Sequence, residues 1–103
     1  ALSSGESEEQ TQWYEGGNLH KVNGKEWLEA TYKNRLATCG DFIVGALGGP
    51  SQAASRVSPQ ELKKRATDLE TCITTAFKGF SKMEQERTKV ADIAALCIMQ
   101  MGY

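Results

Sequence analysis

The sequence predicts an all-α domain: a small antiparallel bundle of three main helices preceded by an irregular N-terminal segment. Three helix starts carry capping signatures, and the stretches behind them repeat apolar residues at the 3.6-residue period. No stretch alternates apolar and polar residues as a half-buried strand would. Connections of short or medium length set consecutive helices side by side and antiparallel.

Residues 1–12 hold a single large apolar side chain, Leu2, among mostly serines, glutamates and glutamines. So little apolar area does not offset the entropy of ordering a chain, so this segment is expected to be flexible, ahead of one helical domain over 13–103. Trp13 and Tyr14 then bring the first large apolar surface, followed by the turn-forming Gly16, Gly17 and Asn18 and by Leu19. Burial recruits most aromatics, which makes a lid folded back on the bundle the first expectation for this pair. Recognition at the surface is the alternative, and Trp13, Tyr14 and His20 are the candidate surface-binding residues.

The first helix is expected over 23–47. Asn23 is suited to the N-cap, Glu26 completes a capping box, and Val22 and Trp27 occupy the positions of a hydrophobic staple. Leu28, Tyr32, Leu36, Cys39, Ile43 and Ala46 form its inward stripe, while Lys25, Glu29, Lys33 and Asp41 fall outside it. Gly48, Gly49 and Pro50 stop it. Its length of about 36 Å exceeds the average globular helix, and a kink near Gly40 is expected. Residues 48–58 read as a permissive loop.

Ser58, Pro59 and Glu61 mark the second helix, expected over 58–78, with Val57 and Leu62 as its staple. Leu62, Ala66, Leu69, Ile73 and Phe77 line its inward face, with Lys63, Lys64, Asp68 and Glu70 toward water. Ser81 and Glu84 make another capping box, and Met83, Val90, Ala94, Cys97 and Met101 carry a stripe that predicts a third helix over 81–101. Thr88 offers a later start for it. Between Ile93 and Met101 apolar residues appear on nearly every face, which predicts a helix covered by more than one neighbour.

The 12 basic and 13 acidic side chains nearly cancel, to a net charge of −1, so no basic footprint for nucleic acid is present. The apolar runs fall short of the roughly 20 residues a membrane-spanning helix needs. The polar start ALSSGESEEQ resembles what remains when an exported precursor is cleaved, and three cysteines in a small domain point the same way, to a periplasmic or secreted protein.

Cys39, Cys72 and Cys97 all fall on inward stripes, and one disulfide can form among them. A last helix starting at Ser81 sets Cys39 level with Cys97, and one starting near Thr88 sets Cys72 level with Cys97. Sequential neighbours favour Cys72 with Cys97, leaving Cys39 as a small core residue. Metal binding is not expected, because the single histidine, His20, lies in a loop and no cysteines share ligand spacing. Cys39 lies near Asp41 but lacks a base unless His20 folds over it, and no Gly-rich phosphate loop is present. Neither an enzyme nor a cofactor is expected.

The segment LHKVNGKEWLEATYKNRLATCGDFI resembles a motif of small exported bacterial proteins of uncharacterised function. The string from Cys39 to Ile43, with Cys72 a helix later, resembles acid-stress periplasmic chaperones of the HdeA type. Cys39, Phe42, Ile43 and Gly45 together are similar to small immunity proteins that neutralise secreted toxins. These resemblances and the residue pattern lead to one expectation, a non-catalytic exported domain that binds another macromolecule. A protein partner is the favoured one, and a homodimer is compatible with the sequence.

Overall fold

The computed structural model describes residues 12–102. The expected flexible segment falls almost wholly on residues 1–11, outside the described residues; Gln12 is exposed, and its N–H donates to Glu15 Oε1 at 3.2 Å. Among the described residues the chain is helical and contains no strand. Six helices of the described residues stand in place of the three expected: α1 (Gly24–Glu29), α2 (Tyr32–Ala46), α3 (Pro50–Arg56), α4 (Pro59–Lys78), α5 (Lys82–Arg87) and α6 (Val90–Met101).

The helix starts follow the caps. Asn23 Oδ1 accepts from the Glu26 N–H at 2.9 Å, Ser58 Oγ from Glu61 at 3.1 Å and Ser81 Oγ from Glu84 at 3.2 Å, each satisfying an otherwise orphaned first-turn donor. The corrections lie inside the long spans. The first helix breaks at Ala30 and Thr31, not near Gly40, which stays helical. Thr31 caps a new helix by accepting from the Asn34 N–H, and Arg35 Nη1 donates to the freed Ala30 carbonyl at 2.6 Å. The break shifts the stripe: Leu36, Cys39 and Ile43 are buried as expected, but Tyr32 is exposed.

The last span breaks at Thr88 and Lys89, beside the later start that Thr88 offered. The broken backbone pairs with the entry to α1, where Gly24 N–H donates to Thr88 O and Val90 N–H to Val22 O, each at 3.0 Å. Cut off from the α6 stripe, Met83 is exposed rather than inward. The expected loop 48–58 holds α3, started by Pro50 behind Gly49, whose φ of 110° suits glycine, and anchored by the buried Ala53.

The three longest helices, α2, α4 and α6, touch one another in every pairing, and α1 packs on α4 and α5. One apolar cluster runs through them from Leu19 to Cys97, with Trp27, Phe77, Ile43, Leu69 and Ile73 at its centre. Gly24 lies flat against the Phe77 ring, which occupies the space a Cβ would need. The expectation that α6 is covered on more than one side is met only in part. Its inner face packs on α4 and α2, but Leu96 and Met99 are 56% and 76% exposed. Among the described residues no helix is long and apolar enough to cross a membrane.

Candidate functional site

Residues 17–20 run as a strap along α2. Gly17 comes so close that a Cβ would lie 2.6 Å from the Thr38 nitrogen, and only glycine permits that approach. Asn18 N–H donates to Asn34 Oδ1 at 3.0 Å, and Asn34 Nδ2 returns a bond to Asn18 Oδ1 at 2.8 Å. Leu19 N–H donates to Thr38 Oγ1, and the His20 ring nitrogen Nε2 lies 2.7 Å from Asp41 Oδ2. Asn34, Thr38 and Asp41 recur at steps of four and three, one face of α2, so three consecutive strap residues each find a partner on that face.

The strap carries the aromatic pair back over the helix. Trp13 lies against Gly40, where a Cβ would fall 2.9 Å from its Cζ3, and Tyr14 meets Trp13 edge to face with centroids 5.6 Å apart. Trp13 is half-buried and Tyr14 is exposed. Together they form one wall of a cleft of about 630 Å³, facing Val44 on α2, Pro50, Ala53 and Ala54 on α3, and Val57 and Leu62 at the entry to α4. Among the described residues, Asp41 is the one charged residue of that lining. The structure thus brings Trp13, Tyr14 and, through Asp41, His20 to one place. Trp13 serves as part lid and part cleft wall, between the two expectations for it.

Cys39, one residue before Gly40, faces the opposite way and is fully buried. Burial pushes its thiol pKa far up; the Glu70 carboxylate adds to that and the Arg35 guanidinium partly offsets it. The thiol stays protonated at neutral pH, so the His20–Asp41 pair has no activated cysteine beside it. Among the described residues no group of three or more His, Cys, Asp or Glu side chains is arranged to hold a metal ion.

Glu70, expected toward water, is buried at 6% exposure. Arg35 Nε donates to its Oε2 at 3.0 Å, Thr74 Oγ1 donates to the same oxygen at 2.8 Å, and the Trp27 indole N–H donates to Thr74 Oγ1 at 3.0 Å. This network joins α1, α2 and α4, and among the described residues no fully buried side-chain nitrogen or oxygen lacks a partner, as a buried carboxylate requires. The legible signal is position: Glu70 follows Ala66 by four residues and lies at the edge of the arc that Leu69, Ile73, Ala66 and Phe77 bury.

Cys72 and Cys97 are the pair the structure places at bonding distance, joining α4 to α6 with Cα atoms 6.1 Å apart. The break at Thr88 explains the pairing, since it sets Cys97 low on a short helix, level with Cys72. A bridge across a separation of 25 residues contributes about 3 kcal/mol by restricting the unfolded chain. Thiol counting in denaturant without reductant is expected to find Cys39 alone reactive, and Cys39 is expected to label only slowly in the native protein. Three reactive thiols would show that the bridge does not form.

Comparison with protein-family models, with curated proteins and with solved structures finds no match to this chain.

Proposed function

We propose that this chain is an exported, non-catalytic domain that binds another protein through the cleft beside Trp13 and Tyr14. The observation that carries the reading is the cleft itself. It is concave, of ligand-site volume, apolar over most of its wall, and rimmed by an exposed tyrosine and a carboxylate, the composition of a protein-recognition centre. The inert Cys39 thiol supports the absence of catalysis, and a cysteine pair at bonding distance supports an oxidising compartment. The immunity-protein reading is this same binding with a secreted toxin as the partner.

A photo-crosslinking side chain at Tyr14, introduced into the full chain in its native host, is expected to yield one discrete protein adduct. The same group at the exposed Lys33 is expected to yield none. Adducts from neither position, or equally from both, would remove the cleft from the reading.

The open face of α6 favours a second reading, the acid-stress chaperone. Leu96 and Met99 present apolar surface in the folded state, and acid would leave 12 basic side chains without their counter-charges. The same face is where a second copy would pack in a homodimer, which sedimentation at increasing concentration detects. One carboxylate bears on acid response directly. Hydrogen bonds from the Ser81 backbone and side chain hold the Glu84 pKa below its ordinary value. A group depressed in the folded state contributes stability above its unfolded pKa and loses it as pH falls through the folded one. Carbon-detected titration is therefore expected to find Glu84 protonating at lower pH in the folded chain than in the unfolded chain, with the α5 cap loosening only then.

A further inference from the structure

The described lining of the cleft carries one charge, Asp41, and that charge restricts what can fill it. The Asp41 side chain is 44% exposed on the cleft wall, with Oδ2 held by the His20 ring and its second oxygen left to a ligand. A purely apolar occupant would cover the carboxylate and strip its water without replacing the lost hydrogen bonds, and an anionic occupant would add repulsion. A cation on an apolar stem satisfies both the carboxylate and the Val44, Val57 and Leu62 walls, and its charge-assisted hydrogen bond is stronger than that of a neutral donor. The Trp13 and Tyr14 rings, at an interplanar angle of 89°, supply π faces to such a cation. A planar guanidinium stacks on a ring while donating to a carboxylate, which a compact ammonium does less well.

Resting on the protein-binding reading above, we propose that the cleft is an arginine socket: the partner protein lays one arginine side chain across the wall that Trp13 and Tyr14 form, with its guanidinium on Asp41. The stem lies along the apolar wall, and no covalent step is involved.

The test uses the full chain and two peptides, acetyl-Val-Arg-Val-amide and its citrulline counterpart, which has nearly the same shape without the charge. The two indole N–H signals are followed by NMR. Trp13 reports the cleft, and the fully buried Trp27 serves as internal reference. The arginine peptide is expected to bind roughly tenfold more tightly than the citrulline peptide, moving Trp13 and not Trp27. Asp41→Asn is expected to bring that ratio to about one while leaving citrulline binding in place. Gly40→Ala, whose new methyl displaces the Trp13 ring from a helical position that favours alanine, is expected to abolish binding of both peptides with the fold intact.

Equal affinities for the wild-type chain, a preference that survives Asp41→Asn, or no Trp13 shift with either peptide would each overturn the socket. If the Tyr14 crosslink to a partner nevertheless persists, the protein-binding reading stands and only the arginine fails. If the crosslink is absent as well, both fall.

Discussion

Replacing Trp27 by alanine is expected to lower the free energy of unfolding by about 4 kcal/mol, within the range for truncating a fully buried aromatic side chain. Trp27 has no exposed surface and is the largest of the fully buried side chains. It belongs to α1, which at six residues is far too short to hold helical structure by its own hydrogen bonds. The capping box at Asn23 and the backbone pairing with Thr88 and Val90 fix only its entry, so the indole in the core is what holds the rest of that turn down. Thr74 keeps its bond to Glu70 after the truncation, so no buried polar group is orphaned and the loss is mainly one of packing, with about 1 kcal/mol for the indole hydrogen bond. Trp27→Phe, which keeps most of the ring area but lacks the indole donor, is expected to cost about 1 kcal/mol beyond its lost area. Urea denaturation followed by circular dichroism separates the two variants, and a cost below about 1 kcal/mol for the alanine variant would mean that α1 is not fixed through Trp27.

What the sequence made legible were the places where one residue decides the local structure. Asn23, Ser58 and Ser81 cap as their types and three-residue offsets imply, and Cys39, Ile43, Leu69, Ile73 and Phe77 are buried as their spacing implies. Breaks were harder to read, because the apolar stripe continues across them. Thr31 and Lys89 interrupt helices whose periodicity runs on, and each interruption is held by a contact distant in sequence or by a side chain donating to a carbonyl. Periodicity registers neither of these. Glu70 was misplaced for the same reason: a carboxylate counts as outward until its partner is known, and Arg35 lies 35 residues away.

The candidate site shows the same division. Trp13, Tyr14 and His20 were identifiable as residue types suited to recognition. Asp41, which gives the cleft its charge, lies off the helix stripe. Its role depends on the strap from Gly17 to His20 lying along the Asn34, Thr38 and Asp41 face of α2. That face is polar and carries no hydrophobic period, so the docking of the strap was invisible to a reading based on burial.

The buried ion pair gives the second large effect. Arg35→Met is expected to destabilise the chain by about 3–5 kcal/mol, because it leaves the Glu70 carboxylate in the core without a counter-charge. The Arg35 and Glu70 side chains are 16% and 7% exposed, too little for water to replace the lost partner. The same substitution removes the donor to the Ala30 carbonyl, which closes the elbow between α1 and α2, so part of the loss is expected to appear as fraying of α1. Glu70→Met leaves the guanidinium unpaired and takes the acceptor from Thr74, and it is expected to cost a similar amount. The double variant Arg35→Met, Glu70→Met removes both charges and fills the space with apolar atoms. It is expected to be more stable than either single variant, since desolvating the ions nearly cancels their attraction in the wild-type chain. A double-mutant cycle from urea transitions measures this coupling. Additive losses would show that Arg35 and Glu70 act on separate neighbours, Ala30 and Thr74, and that their contact contributes little.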